Sequence, residues 1–207
     1  MLMSRSAAGA AYPWHVVAGK SGGMGGAVDS PVSGEGTSPA FPSGAGHRRL
    51  AAGEPIMVDF GTVLNGYHMD ETRMFAIGKM PEKARNACRA AIEIHDSLIE
   101  AVRPGVVAGD LFDQAVSHAK RLGYEEAFLG LPGYKSGFIG HGVGAELVEP
   151  PMIARNRTDV LLPGMTIALE PKMCFAGEFG AGIESVVAVT ENGCRKISRV
   201  PTDIVVV

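Results

Sequence analysis

The sequence predicts an α+β fold built from two related halves, and three observations predict it. A strand hairpin is encoded between residues 54 and 78, two amphipathic helices follow between 81 and 123, and strand-like runs resume after residue 141. The third observation is a weak internal echo. "GEPIMVD" (53–59) and "GMTIALE" (164–170) share a glycine, an isoleucine, an aliphatic residue and a closing acid at the same positions.

With 207 residues the chain can bury a real core as one domain or as a domain with an extension. A net charge of −3 offers no basic field for nucleic acid or an anionic membrane surface. No apolar run reaches the roughly 20 residues of a membrane span, and no cationic flank with a long apolar run follows Met1, so no signal peptide is expected. Cys88, Cys174 and Cys194 are odd in number and lack CxxC spacing. This disfavours a disulfide framework and points to the cytoplasm.

Residues 1–50 hold ten of the 28 glycines and show no helical period, so they are expected to be a loop-rich lead-in. "GKSGG" lacks the full GxxxxGK[ST] pattern of a phosphate loop. From "EPIMVDFGTVLNGYHMDETRMFAIG" (54–78) the character changes, with Asn65-Gly66 as a type I′ turn between β-branched and apolar residues. Helices are expected over 81–102 and 110–122. Ala84, Cys88, Ala91, Ile94, Leu98 and Val102 form the apolar stripe of the first, and Asp110 is the expected cap and Gly123 the end of the second. His95 and His118 are read as surface or boundary residues of these helices.

A two-residue loop at Asn65-Gly66 pairs Leu64 with Tyr67, Val63 with His68, and so on out to Asp59 with Thr72. Alternation then places Asp70 on the same face as Asp59, as diagonal neighbours roughly 7–8 Å apart at the backbone. Carboxylates that close repel unless a proton or a cation lies between them; on an exposed face they would simply be solvated. In the echo, Glu170 closes the second strand, and Glu184 follows fourteen residues later, as Asp70 follows Asp59 by eleven. If the two halves face one another, His141 of "GHGVGAELVEPP" (140–151) adds one imidazole to four carboxylates, a donor set suited to Mn²⁺, Fe²⁺, Co²⁺ or Zn²⁺.

"VDFGTVLNGYHMDETRMF", "GHGVGAELVEPP", "ALEPK" and "GIESVVAVTENG" resemble, in order and spacing, the M24 metallopeptidases, which include methionine aminopeptidases, aminopeptidase P and prolidase. The resemblance runs from about Gly53 to Val207. Tyr67, the TR of "DETRMF" and "ALEPK" are most similar to the Xaa-Pro peptidase branch. It implies a pita-bread fold, two pseudo-symmetric αβ halves around a central curved antiparallel sheet, with the first half shortened. Residues 1–50 would be the remnant of that half and 51–207 the catalytic domain. It further implies two divalent metal ions, Mn²⁺ favoured, with Asp59 on one ion, His141 and Glu170 on the other, and Asp70 and Glu184 bridging. A metal-bridging water or hydroxide would attack the peptide, with Glu170 as proton shuttle and His141 in the catalytic set.

The expected activity is therefore an exopeptidase on short peptides, Xaa-Pro type favoured, in a cytoplasmic protein. The alternatives are a catalytically silent peptide-binding module or a metal-dependent non-peptide amide hydrolase or lyase. Three positions depart from the family pattern. Val148 stands where a carbonyl-donating histidine is usual, Gly182 where an arginine is usual, and Pro42 where a further histidine is usual, with His47 or His68 as substitutes. A first half without covering helices would expose apolar sheet, which predicts a homodimer.

Overall fold

A computed structural model of the chain describes residues 11–25, 30–40 and 42–207. Its first large element is the expected hairpin, β2 (Pro55–Leu64) with β3 (Tyr67–Ala76), preceded by β1 (Ala11–Ala18). The hairpin register runs from Leu64↔Tyr67 through Asp59↔Thr72 to Pro55↔Ala76 without a slip. Asn65 and Gly66 adopt φ of 52° and 84°, the left-handed pair a type I′ turn requires.

No strand is expected from the glycine content of residues 1–50, yet β1 pairs antiparallel with β2, with Val17 opposite Met57 and His15 opposite Asp59. A 3₁₀ turn, Gly19–Gly23, follows and packs against the second half. There, glycine serves close backbone approach rather than loop freedom. A Cβ on Gly22 would lie 2.6 Å from the backbone nitrogen of Gly180. Among the described residues, this turn is the only helical segment ahead of β2.

Two helices, α1 (Glu82–Ala101) and α2 (Ala108–Arg121), connect the hairpin to the second half. Every residue of the predicted α1 stripe is buried, and Ile94 and Leu98 are fully so. Each such side chain contributes about 1.5–3 kcal/mol relative to exposure. Two expectations are corrected here. Val107, not Asp110, occupies the cap position of α2, and Asp110 lies in the first turn, where its charge meets the positive end of the helix. His95 and His118 are buried rather than at the surface. Helix packing encloses both, and their ring nitrogens reach Asp96 Oδ1 at 3.1 Å and Glu93 Oε1 at 3.0 Å. Gly123, with φ of 80°, follows the end of α2 as expected.

The remainder is strand. The short pair β4 (Gly130–Leu131) and β5 (Tyr134–Lys135) precedes β6 (Phe138–Gly142), β7 (Glu149–Ala154) and β8 (Thr166–Leu169). After these come β9 (Lys172–Phe175), β10 (Phe179–Gly182), β11 (Ser185–Thr190), β12 (Gly193–Lys196) and β13 (Val205–Val206). One sheet has the order β1-β2-β3-β13, a second the order β12-β11-β8-β6-β7, and β9 pairs with β10 between them. α1 packs on β9, β10 and β12, and α2 on β6 and β7, closing a core that includes Leu111, Ile139, Ile167 and Met173.

The two sheets meet where Glu184 N donates to Thr72 O at 3.2 Å. Beside this seam the buried Arg73 guanidinium donates to the carbonyls of Thr72, Glu184, Val200 and Pro201. No helix among the described residues is long and apolar enough to cross a membrane.

Candidate metal centre

Five acids and bases predicted from the sequence come from four different places in this frame. Asp59 and Asp70 stand on β2 and β3, His141 on β6, Glu170 just after β8 and Glu184 just before β11. The pairing of Leu169 with Ser185 sets the two glutamates opposite each other immediately beyond the ladder. Asp59, His141, Glu170 and Glu184 are buried and Asp70 nearly so.

His141 needs its glycines. A Cβ on Gly140 would strike the Ala168 carbonyl and one on Gly142 the Pro150 carbonyl, so the strand fits between β7 and β8 only with hydrogen there. The ring Nδ1 lies 3.0 Å from Gly142 O, which can only accept, so Nδ1 carries the proton. Nε2 faces the acids, 3.4 Å from Glu170 Oε1 and 3.9 Å from Asp70 Oδ2.

The structure adds a residue that the sequence reading passed over. Lys172 is buried and its Nζ lies 2.9 Å from Asp59 Oδ2, 2.8 Å from Glu170 Oε2 and 3.1 Å from Glu184 Oε2. Thr72 Oγ1 also donates to Glu184 Oε2 at 2.8 Å. Spacing could have flagged the lysine, two residues after Glu170, had Pro171 not interrupted the strand. Lys172 pairs across the ladder with Gly182, where a Cβ would lie 2.5 Å from Lys172 Cγ. The stem of the lysine thus occupies the space above position 182, and no side chain fits there.

Crowding perturbs the charges of Asp70, His141, Glu170, Lys172 and Glu184. Burial, then Glu184 and Asp59, raise the Asp70 pKa well above the usual carboxylate range. Burial, reinforced by Glu170 and Asp59, pushes Glu184 up to about 7 against the pull of Lys172. Burial would also raise Glu170, but Lys172 and His141 outweigh it and hold Glu170 below its ordinary value. For Lys172 burial opposes the charge, and Asp59, Glu170 and Glu184 overcome it, leaving the ammonium firmly protonated. His141 is raised because its hydrogen bond and charge contact with Glu170 exceed the cost of burial.

One potential ligand atom each of Asp70, His141 and Glu184 falls within 4.8 Å of the others. Glu184 Oε1 is buried and has no hydrogen-bond partner. A buried carboxylate oxygen left bare is costly, and a hard divalent cation is a natural partner for it beside an aspartate and an imidazole. The residues present therefore fit a metal ion. The other positions singled out in the sequence have surroundings of their own. Val148 is 48 % exposed, His68 Nδ1 bonds Gly144 O at 3.2 Å, and His47 lines a surface cleft with Glu35, Pro42 and Arg48.

A family model described as metallopeptidase family M24 matches residues 3–191, beginning ahead of Gly53, where the motif resemblance starts. The Xaa-Pro dipeptidase of Pyrococcus furiosus is 33% identical over 161 residues, which are 77% of this chain and 44% of that protein. The probable dipeptidase PepE of Mycobacterium tuberculosis is 36% identical over 79% of this chain and 42% of its own length. Among solved structures, dipeptidase PepE from Mycobacterium ulcerans superposes with a TM-score of 0.78 at 28% identity, covering 95% of this chain and 47% of that one. Prolidase from Pyrococcus furiosus gives 0.75 at 27%, covering 92% and 50%. The fold is thus the pita-bread α+β fold, and the chain spans less than half the length of the curated relatives it matches.

Proposed function

Because the chain belongs to metallopeptidase family M24, we propose that it is a metal-dependent exopeptidase removing the N-terminal residue of short peptides, Xaa-Pro type favoured. The observation that carries this reading is the convergence of Asp59, Asp70, His141, Glu170 and Glu184, with Glu184 Oε1 unpartnered among them. The names of two relatives, Xaa-Pro dipeptidase and dipeptidase PepE, support a short peptide as substrate. All five residues lie within 51–207, which supports reading that span as the catalytic domain.

A divalent cation in this cluster, Mn²⁺ favoured and Co²⁺, Fe²⁺ or Zn²⁺ as alternatives, would polarise the scissile carbonyl and acidify a water. The family resemblance implies two such ions across the five residues. The Nδ1 proton of His141, held by Gly142 O, leaves Nε2 as the nitrogen available to a cation. Glu170, kept ionised by Lys172 and His141, is ready to take a proton and pass it to the leaving amine. Thr72 and Lys172 both hold Glu184 Oε2, which orients the carboxylate and leaves Oε1 for a ligand. A homodimer, expected from a first half without covering helices, is part of this proposal.

The test is Asp70→Asn, assayed for bound Mn²⁺ and for turnover of Xaa-Pro dipeptides beside non-peptide amides. Loss of both metal and Xaa-Pro turnover is expected; turnover at the wild-type rate would remove the metal from the mechanism. The exposed Val148, which supplies no hydrogen bond to a substrate carbonyl, favours one second reading, a silent peptide-binding module. Wild-type binding of Xaa-Pro peptides without cleavage, at full metal occupancy, would select it.

A further inference from the structure

We infer that Lys172 is a built-in cation filling one of the two cation positions of this centre, which therefore takes up a single divalent ion. The inference rests on the metal-dependent reading above and departs from the pair of ions that the resemblance implies. Its basis is geometric. An ammonium has three N–H donors, and Lys172 Nζ lies at hydrogen-bond distance from three separate carboxylates, Asp59, Glu170 and Glu184. A divalent ion on the Asp59 side would need these same oxygens. It would also sit against a positive charge in a buried site, where water does little to screen the repulsion.

The lysine is not a stray surface side chain that has folded inward. It is 2 % exposed, and its stem runs over Gly182, the position opposite it in the β9–β10 ladder. A Cβ at residue 182 would lie 2.5 Å from Lys172 Cγ, so a long side chain at 182 and this lysine conformation exclude one another. Gly182 and Lys172 thus form one device that delivers an ammonium to the first half's aspartate. On the other side of the cluster, Asp70, His141 and Glu184 lie within 4.8 Å of one another, and Glu184 Oε1 is left without a partner. That is room for one ion.

The decisive experiment counts ions. Wild-type chain, Lys172→Met and Lys172→Arg are loaded with Mn²⁺, freed of loose metal and analysed by elemental mass spectrometry, with electron paramagnetic resonance to separate isolated from coupled Mn²⁺. The expected result is one isolated ion per chain for wild type and Lys172→Arg, and two coupled ions for Lys172→Met. Two ions in wild type would overturn the inference alone, leaving a dinuclear centre in which Lys172 moves aside or serves only to orient Asp59. One ion in a folded Lys172→Met would overturn it as well. If circular dichroism shows Lys172→Met unfolded, Lys172→Gln replaces it with the same expectation. No ion in any chain would overturn the metal-dependent reading itself, and this inference with it.

Discussion

The hairpin and the kinked strands opposite it deliver two carboxylates each to one cluster, by different means. Asp59 and Asp70 sit inside an unbroken ladder, closed by a two-residue turn and kept on one face by simple alternation. Glu170 and Glu184 sit outside any ladder, in the gap between the β8–β11 pairs and the β9–β10 pairs, where Pro171 breaks the strand. In the hairpin the backbone alone fixes the spacing of charges. At the kink, single backbone bonds from Glu184 N to Thr72 O and from Glu170 N to Ile139 O are joined by side chains: Thr72 and Lys172 hold Glu184, while Lys172 and His141 hold Glu170. A ladder positions charge through local geometry, whereas a break in one positions it through long-range contacts and fixed countercharges.

This contrast can be sharpened by three measurements. The largest effect is expected from pH on the metal-stripped chain. Glu184 is raised from 4.5 to about 7 in the folded state, so the native chain binds the proton more tightly than the unfolded one. Its protonation stabilises the fold at low pH, and that contribution is lost as pH rises from about 4.5 through 7, a change on the order of 3 kcal/mol. Asp70 has the same sign, while Glu170, which is lowered, has the opposite sign and loses its contribution as pH falls below its unfolded value. Urea unfolding in chelator from pH 4 to 8 reads the sum, and Glu184→Gln is expected to flatten the fall; an unchanged slope would dissociate it from the kink.

Gly182→Ala comes next, at about 1–3 kcal/mol, because the new methyl collides with the lysine stem rather than with its mobile end. Thermal melting measures it, and a Gly182→Ala chain as stable as wild type would mean that Lys172 can leave the cluster cheaply. The smallest effect is at the hairpin. Gly66→Ala meets no neighbour within 4 Å and costs only the left-handed backbone strain, about 1 kcal/mol. It is expected to leave metal uptake unchanged, since the ladder from Leu64 to Pro55 still fixes both aspartates.

The same division explains what could be read from sequence. Asn65-Gly66 encodes a turn in two adjacent residues, so the register out to Asp59↔Thr72 followed from counting. The stripe from Ala84 to Val102 followed from helical period. Lys172 could not be found that way, because Pro171 ends the alternation that would have aligned it with Glu170. β1 was hidden by its glycine-rich sequel, whose close contact with Gly180 is visible only once the halves are packed. The burial of His95 and His118 likewise depends on what covers each helix, which a single helix's period does not state.

Arg73 gives the last feature a temporal meaning. Its guanidinium joins the hairpin carbonyl of Thr72 and the kink carbonyl of Glu184 to those of Val200 and Pro201, the latter 128 residues farther along the chain. During synthesis both aspartates leave the ribosome well ahead of residue 201. The seam that sets Glu184 against them gains its full complement of acceptors only after residue 201 has been made. The contacts that set Glu184 against the hairpin therefore depend on chain made well after the hairpin itself.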